Sequence, residues 1–345
     1  MVKIEKYTED VSCVSNLSLD WEMLREKTVL ISGASGLIGT FLIDVLMEKK
    51  IGIRIVALGR DEEQAQIRFA RYWDCPEFLF VKGDINKTLE LEMLTHVDYV
   101  IHAASNTHPL MYSLDPIGTL MTNLTGTKNL LDVAVKKKCK RFVFLSSVEI
   151  YGENRGDVDY FNEAYCGYID CNTLRAGYPE GKRAGESLCQ AYRKMYGIEV
   201  VIPRLARCYG PTMKLSDTKA ISQFIKKGIA GEDIVLKSEG NQLYSYTYVA
   251  DAVSGILTIL MKGKDGEAYN IADPESDITL KDLANMVAAY VGKKVVFEIP
   301  DTQEAAGYSK ATKALMSSHK LKALGWKAGW TMEDGIYRTL EILKK

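Results

Sequence analysis

Short runs of apolar, often β-branched residues recur through the first two hundred residues, and helical stretches such as Asp115–Lys136 and Tyr178–Tyr196 separate them. A continuous apolar run is typical of a parallel strand that helices cover on both faces. The alternation therefore predicts an α/β fold with a doubly wound parallel sheet. After a first strand that begins at Thr28, the predicted strands are Ile53–Leu58, Phe78–Val81, Tyr99–His102, Arg141–Ser146 and Val200–Leu205.

The pattern changes at about Ala206 to turn-rich sequence with short helices and isolated strands. We therefore predict a first domain over residues 1–205 and a smaller α/β lobe over 206–345, with part of 244–272 returning to the first domain. Open α/β sheets bind ligands beyond the carboxyl ends of their strands. We expect a ligand between the sheet and the smaller lobe.

Residues 1–27 form an N-terminal extension of the first domain. Within this extension, Leu17–Lys27 has the pattern of a short amphipathic helix, with Trp21 and Leu24 facing inward. We interpret this helix as a packing element rather than a part of the site.

Composition and charge exclude several classes of protein. The chain has 345 residues, 47% hydrophobic and 26% charged, as an ordinary globular protein has, and its formal net charge is −1. No basic surplus draws it to nucleic acid or to an anionic membrane. No apolar run approaches the roughly 20 residues of a membrane span. The first ten residues lack a signal peptide's apolar core, so we expect a cytoplasmic protein.

Cysteine and histidine give no sign of a disulfide framework or a metal site. The seven cysteines are scattered and include no Cys-x-x-Cys pair, so reduced thiols are expected. His102 and His108 lie six residues apart with no third ligand at metal spacing. We therefore predict no metal.

A glycine-rich turn follows the first strand. Gly33 would make the tight turn, Gly36 would let the backbone approach a pyrophosphate, and Gly39 would let the next helix pack closely on the sheet. We predict that helix from Leu37 to about Lys49, with its first N–H groups facing the anion. The pattern predicts a Rossmann-type dinucleotide site. Its predicted cofactor contacts are Gly33, Ser35, Gly36, Leu37, Ile38 and Gly39.

The residue after the second strand bears on the choice between NAD and NADP. An acid at this point would hold the ribose hydroxyls of NAD, but the chain has Gly59-Arg60 and no acid before Asp61. An arginine suits the 2′-phosphate of NADP, so the sequence slightly favours NADP bound through Arg60, with NAD left open. The alternative is a solvated Arg60 with no specific partner.

Small residues follow the fourth strand, where they leave room for a dinucleotide lying across the sheet, although tight helix packing would also explain them. Asn123 is a polar side chain on an otherwise buried helix, and we expect it to bridge backbone near the site. The further predicted cofactor contacts are Asp84, Ile85, Ala103, Ala104, Ser105 and Asn123.

The sequence predicts that a hydroxyl, a phenol and an ammonium group lie close together at the end of one strand and the start of one helix, as proton transfer requires. Ser147 follows the strand Arg141–Ser146, and Tyr178 and Lys182 lie four apart on one helix face. A tyrosine becomes a base at pH 7 only if its pKa falls by about 3 units, roughly 4 kcal/mol. Lys182, a positive nicotinamide and a hydrogen bond from Ser147 would lower it together. The pattern predicts proton transfer coupled to hydride transfer.

With these motifs, the chain resembles the extended short-chain dehydrogenase/reductase family from about Lys27 to Leu343. Within that family it is similar to nucleotide-sugar epimerases, dehydratases and decarboxylases, including UDP-glucuronate decarboxylases and UDP-glucose 4-epimerases. The motifs that carry the resemblance are Gly33–Gly39, His102–Ser105, Ser146–Gly152, Tyr178–Lys182, Tyr209–Pro211, Tyr248–Asp251 and Leu324–Trp326.

The resemblance implies a role for each predicted catalytic residue. Tyr178 would take the proton from a sugar hydroxyl, usually at C4, Ser147 would hydrogen-bond the reacting oxygen, and Lys182 would hold the nicotinamide ribose. It implies NAD or NADP as the cofactor and a nucleotide sugar as the substrate. It also implies a homodimer, formed through the helices Asp115–Lys136 and Tyr178–Tyr196.

The resulting 4-keto sugar is a branch point, and we expect an epimerase. Glu149 stands where related dehydratases and decarboxylases carry an acid/base glutamate, and Arg175 matches the decarboxylase pattern. Both favour the alternative of a decarboxylase or a 4,6-dehydratase, unless Glu149 only hydrogen-bonds backbone. An alternative of another class is a catalytically silent dinucleotide-binding scaffold.

Two positions depart from the family's pattern. Tyr244 stands where an arginine usually binds the substrate's phosphate, and Arg207 stands where an asparagine is common. We hypothesise that the charge has moved, so that Arg207, with Lys219, makes the contact that Tyr244 cannot. Tyr244 would then stack on a base or sugar, or simply pack. The predicted substrate contacts are Ser147, Arg175, Arg207, Lys219 and Tyr244.

Overall fold

The computed structural model describes residues 2–89, 91–107, 109–298 and 311–344. The central parallel sheet consists of β1 (Thr28–Ser32), β2 (Arg54–Gly59), β3 (Phe78–Lys82), β4 (Tyr99–His102), β5 (Arg141–Phe144), β6 (Ser146–Ser147), β7 (Glu199–Leu205) and β11 (Ala268–Ile271). Their order is β3-β2-β1-β4-β5-β7-β11, and β6 pairs with the end of β7. The predicted α/β fold with a doubly wound parallel sheet is confirmed.

Some helices cover the two faces of the sheet and others belong to the second lobe. They are α1 (Val2–Ser15), α2 (Leu37–Glu48), α3 (Glu62–Arg68), α4 (Pro109–Leu114), α5 (Pro116–Lys136), α6 (Gly177–Tyr196), α7 (Ala220–Ala230), α8 (Val249–Lys262), α9 (Leu280–Val291), α10 (His319–Lys322) and α11 (Met332–Leu343). Within the described ranges, none has the length and apolar character needed to cross a membrane.

Strand β1 shows why both faces need a cover. Successive side chains of a strand point to opposite faces, so Val29 and Ile31 pack with α2 and α8, whereas Leu30 packs with α5 and α6. All three side chains are fully buried. The continuous apolar run in the sequence thus reflects two apolar cores separated by the sheet.

A smaller set of strands builds the second lobe. These are β8 (Arg207–Tyr209), β9 (Ile234–Leu236), β10 (Leu243–Tyr248), β12 (Asp277–Thr279), β13 (Val295–Phe297) and β14 (Lys313–Ala314). Strand β10 pairs with β8, β12 and β14, and β9 pairs with β13. Within 244–272, α8 packs on α2 and β7 while β11 extends the central sheet beside β7. The division of the chain at residue 205 stays a prediction.

The helix predicted over Leu17–Lys27 is wrong in extent. Only Trp21–Leu24 forms a short 3-10 helix, although both of its end residues are buried as expected. Glu26 then takes a positive φ of 56°, which ends the helical turn just before β1. The longer helix of this extension, α1, lies earlier in the chain and was not predicted.

The strand predicted over Arg141–Ser146 is interrupted at Leu145. Strand β5, which pairs with β7, ends at Phe144. After Leu145, the two-residue strand β6 pairs with the end of β7. The backbone carbonyl of Leu145 is thereby free to accept a hydrogen bond from the Lys182 ammonium, with 2.8 Å between Nζ and O. The interruption thus brings a catalytic candidate against the end of the sheet.

Helix α1 joins the two lobes. It packs on α2 and α8, and also on α11 of the second lobe. Its Asp10 carboxylate is fully buried, lies 2.6 Å from the guanidinium Nε of Arg338, and accepts a 2.6 Å hydrogen bond from the hydroxyl of Tyr248. Because an unpaired buried charge is costly, these partners hold the helix in place.

Candidate active site

A cavity of about 770 Å³ lies beyond the carboxyl ends of the parallel strands, between the sheet and the second lobe. With the exception of Asn123, every predicted site residue lines it. Those residues are Gly33, Ser35, Gly36, Leu37, Ile38, Gly39, Arg60, Asp84, Ile85, Ala103, Ala104, Ser105, Ser147, Glu149, Arg175, Tyr178, Lys182, Arg207, Lys219 and Tyr244. Segments far apart in sequence thus meet at one edge of the sheet.

The glycine turn leaves no room for side chains. Gly33 has a positive φ of 68°, and a Cβ there would lie 2.7 Å from the backbone nitrogen of Ala104. A Cβ on Gly39 would lie 2.4 Å from the carbonyl oxygen of Gly33. Helix α2 therefore begins directly against the turn, with its first N–H groups at the cavity wall. This cradle fits the pyrophosphate of a dinucleotide.

Asn123 lies behind the cavity wall rather than in it. It is fully buried; its side-chain oxygen accepts a 2.9 Å hydrogen bond from the Ser105 hydroxyl, and its amide nitrogen donates to the carbonyl of Thr119 at 3.0 Å. Its polar groups are satisfied by these partners, and Ser105 is the member of the pair that lines the cavity. Any effect of Asn123 on a cofactor therefore passes through Ser105.

His102 has a structural role at the end of β4. Its two ring nitrogens lie 2.9 Å from the hydroxyl of Ser32 and 3.1 Å from that of Thr127, and burial lowers its pKa well below the ordinary value. His108 lies outside the described residues. Over the part of the chain that the structure describes, no three His, Cys, Asp or Glu side chains are grouped to hold a metal. All seven cysteines are free.

Ser147, Tyr178 and Lys182 meet beside the interrupted strand. Tyr178 stands in the first turn of α6 and Lys182 one turn later, and both side chains are buried. Burial raises the pKa of Tyr178, and a hydrogen bond with Ser147 lowers it in part. Burial lowers the pKa of Lys182 to about 7. The phenol is thus a proton carrier that needs added positive charge nearby to ionise.

Glu149 forms an ion cluster with two arginines. Its carboxylate lies 2.9 Å from Nη1 of Arg175 and 3.5 Å from Nη2 of Arg207. Burial raises the pKa of Glu149, but the two positive charges outweigh burial and lower it to about 2. Glu149 is therefore ionised at neutral pH, and the three side chains together carry one positive charge. Its interpretation as a group that bonds only backbone is wrong.

Arg207 stacks on Tyr244. The centre of its guanidinium lies 3.6 Å from the centroid of the ring, and the Tyr244 hydroxyl donates a 2.7 Å hydrogen bond to the carbonyl of Ala311. The tyrosine is held in place and offers its face to the cation. Lys219 instead pairs with Asp217 at 2.9 Å and bonds the hydroxyl of Thr107 at 3.2 Å.

Among the cavity residues that were not predicted from the sequence, Tyr112 and Lys214 stand out. Tyr112 of α4 stacks on Tyr178, with 5.1 Å between ring centroids and 22° between planes, and no motif marks it. Lys214 lines the cavity three residues after the motif Tyr209–Pro211, and that proximity was its one signal in the sequence. Tyr112 fixes the plane of the Tyr178 ring from the side.

Comparison with known proteins places this site in a family. A model of the NAD dependent epimerase/dehydratase family matches residues 29–272, which is more than half of the chain. The chain belongs to that family. Membership confirms the recognised resemblance, makes the protein an enzyme and confirms a nicotinamide cofactor, NAD or NADP. The alternative of a catalytically silent scaffold is thereby set aside.

The curated relatives include decarboxylases. UDP-glucuronic acid decarboxylase 3 of Arabidopsis thaliana is 30% identical over 308 residues, which cover 89% of this chain and 86% of that protein. UDP-glucuronic acid decarboxylase 1 of Xenopus tropicalis is 31% identical over 323 residues, which cover 92% and 72%.

Solved structures in the same fold include epimerases. UDP-glucuronic acid 4-epimerase from Bacillus cereus, with UDP-glucuronic acid and NAD, aligns at a TM-score of 0.80 and 21% identity, covering 92% of this chain and 99% of that one. UDP-glucose 4-epimerase from Thermotoga maritima, with UDP-glucose, aligns at 0.77 and 24%, covering 91% and 97%. At these identities the likeness is one of fold.

The lowered pKa of Lys182 predicts a pH effect on stability. Between pH 7 and the ordinary lysine value near 10.5, the unfolded chain binds a proton at Lys182 that the folded chain does not. This group therefore makes the free energy of unfolding rise with pH in that window, and Lys182→Met should remove the rise. Urea unfolding of both proteins at pH 7.5 and 9.5 measures it.

The control is Lys128→Met on the exposed side of α5, where Lys128 pairs with Asp132 at 2.7 Å. The difference in the free energy of unfolding between Lys128→Met and the wild type should be the same at both pH values. If the difference in unfolding free energy between Lys182→Met and the wild type is also the same at both pH values, then Lys182 keeps its proton in the folded enzyme and its pKa is not lowered.

Proposed function

We propose that this enzyme is a 4-epimerase of a nucleotide sugar, acting through transient oxidation at C4. The observation that carries the proposal is the proton-transfer centre formed by Ser147, Tyr178 and Lys182, which line the same cavity as the cofactor turn. The nucleotide-sugar substrate is supported by the relatives and structural neighbours, which are named for such substrates.

The chain's own residues divide the work at C4. Ser147 would hydrogen-bond the sugar oxygen, and Tyr178 would accept its proton and later return it. Lys182, fixed by the carbonyl of Leu145, would hold the nicotinamide ribose, and in its protonated form it would add positive charge beside the phenol. The nicotinamide supplies reversible hydride acceptance when bound. An inverted C4 results when the ketone presents its other face before reduction.

The state of Glu149 separates epimerisation from dehydration. Elimination of water from C5 and C6 needs a proton donor for the leaving hydroxyl. Glu149 is the carboxyl beside Ser147, yet Arg175 and Arg207 keep its pKa at about 2, so it carries no proton to donate at neutral pH. Epimerisation at C4 needs no such donor, so this site favours it over a 4,6-dehydratase.

Decarboxylation of a nucleotide-activated uronic acid is the second candidate. When a 4-keto uronic acid loses carbon dioxide, the C5–C6 bond breaks and its electron pair forms an enolate, which then takes a proton at C5 from water. An ionised Glu149 does not oppose the bond cleavage, because no leaving hydroxyl needs a proton. Among the described residues, Nε of Arg175 and Nη1 of Arg207 are buried without a hydrogen-bond partner, and such donors suit a carboxylate. The curated relatives at 30% and 31% identity are decarboxylases of this kind.

Product analysis decides between the two. Purified enzyme is incubated with UDP-glucose or UDP-glucuronic acid and both cofactors, and the products are examined by mass spectrometry and proton NMR. An unchanged mass with an inverted C4 is the expected result. Loss of carbon dioxide would replace the epimerase with the decarboxylase, and loss of water would overturn both.

Tyr178→Phe removes the proposed proton carrier. We expect turnover to fall by about 100-fold or more, since general acid–base catalysis contributes at least that much, while cofactor affinity stays near wild type. Tyr196→Phe changes an exposed tyrosine at the end of the same helix and should leave turnover intact. A Tyr178→Phe enzyme with wild-type turnover would remove Tyr178 from the mechanism.

We also propose that Arg207 binds an anionic group of the substrate, in place of the arginine that position 244 lacks. Its support is the guanidinium held between Tyr244 and Glu149, with one nitrogen left without a partner among the described residues. The cluster's surplus positive charge would favour a phosphate or a carboxylate in the cavity.

Arg207→Ala should therefore weaken nucleotide-sugar binding by about tenfold or more, the cost of a lost hydrogen bond to a charged group. Cofactor affinity should change little, and calorimetry with each ligand measures both. The matched control is Arg155→Ala, which removes an exposed arginine stacked on Tyr168 at 4.2 Å. Equal effects of Arg207→Ala on both ligands, or none, would reject the role.

A homodimer through α5 and α6 is a further part of the proposal. The two helices pack side by side and expose apolar side chains, among them Ile117 on α5 and Met195 on α6. Ile117→Asp should shift the protein from dimer towards monomer in sedimentation equilibrium. Ile67→Asp on α3 is the control, because Ile67 and Ile117 are both 76% exposed. A wild-type monomer at micromolar concentration contradicts the dimer.

A further inference from the structure

The cofactor end of the cavity carries positive charge from two distant parts of the chain. Arg60 follows β2, Lys214 follows β8, and both line the cavity together with Gly36 and Leu37 of the glycine turn. Among the residues that the structure describes, neither cation has an ion-pair partner. Two cations without a direct ion-pair partner among the described residues therefore line the cavity together with the predicted pyrophosphate cradle.

Lys214 is brought there by a docked segment of the second lobe. The hydroxyl of Thr212 donates to the carbonyl of Leu37 at 2.7 Å, and the guanidinium of Arg68 donates to the carbonyl of Thr212 at 2.8 Å. Arg68 also bonds the hydroxyl of Thr40 at 3.1 Å. These bonds tie the segment to the start of α2 and the end of α3, so Lys214 is fixed beside the loop that holds Arg60.

The three cations lie close enough to influence one another. Burial lowers the pKa of Lys214, and the charges of Arg68 and Arg60 lower it further. Like charges gathered in this way repel each other, and an anion among them relieves the repulsion. The arrangement is thus suited to a doubly charged group such as a phosphate monoester.

The nearby carboxylates make hydrogen bonds of their own, and the charge of Asp61 offsets only part of the lowering of the Lys214 pKa. Asp61 caps α3, where its side chain accepts the backbone N–H of Gln64 at 2.9 Å. Asp84, at the end of β3, accepts the backbone N–H of Asn86 at 3.0 Å. Strand β2 ends at Gly59, and Arg60 follows directly. An acid at that point would bind the ribose hydroxyls of NAD, and an arginine accommodates the 2′-phosphate of NADP.

We propose that Arg60 and Lys214, with Arg68 behind them, form a subsite for the 2′-phosphate of NADP, so that this enzyme prefers NADP to NAD within a family described as NAD dependent. The subsite joins the two lobes, because Arg60 belongs to the sheet domain and Lys214 to the segment after β8. It does not depend on which reaction the enzyme catalyses.

The test compares NADP and NAD, which differ only in the 2′-phosphate, by isothermal titration calorimetry at one salt concentration. NADP should bind at least about tenfold more tightly than NAD, because a charge-assisted hydrogen bond contributes that much to affinity. Arg60→Ala and Lys214→Ala should each remove most of that advantage and leave NAD affinity within about twofold. Arg54→Ala, at the opposite and exposed end of β2, is the matched control and should change neither ligand.

Equal or tighter binding of NAD would overturn the proposal, as would an Arg60→Ala variant that loses NAD and NADP equally. A loss confined to Arg60→Ala, with Lys214→Ala unchanged, would overturn the subsite that spans both lobes. The readout is binding alone, so an enzyme that prefers NADP but fails to epimerise any sugar would sink the proposed function and leave this inference intact.

Discussion

Parallel strand pairing is the constraint on which the rest of this molecule depends. The carboxyl ends of parallel strands lie at the same edge of the sheet. The residues that follow β1, β2, β4 and β6 therefore meet at that edge, although they are far apart in sequence. The pairing of Ser32 with His102, and of His102 with Phe144, sets this edge. This edge carries the glycine turn, the small residues after β4 and the candidate catalytic hydroxyl of Ser147.

Buried charge shapes the chemistry at the inner end of the cavity. Two guanidiniums face one carboxylate at Glu149, and a buried ammonium at Lys182 is held by a backbone carbonyl. In surroundings of low polarity, these charges act strongly on nearby groups and on any ligand. The cluster keeps Glu149 ionised, which is why the proposed chemistry at C4 is assigned to Tyr178 and Ser147.

The second lobe contributes by docking onto the sheet domain at several points. Thr212 bonds the start of α2, α8 packs against β7, and the buried ion pair of Asp10 with Arg338 ties α1 to α11. These contacts help to set the positions of Arg207 and Lys214, which line the same cavity. One short segment of the second lobe thus carries both the residue proposed to bind the substrate and the residue proposed to bind the cofactor.

The sequence by itself determined the fold, the family and a set of site residues that, except for Asn123, all line the cavity, because apolar runs and the spacing of Gly33, Tyr178 and Lys182 are local signals. It missed α1, the interruption at Leu145 and the stacked Tyr112, which carry no motif. Only the tertiary structure decided that Arg207 stacks on Tyr244 and that Asn123 lies behind the cavity wall. The reason is physical: a side chain's charge state and partners depend on burial and on neighbours that folding brings from distant parts of the chain.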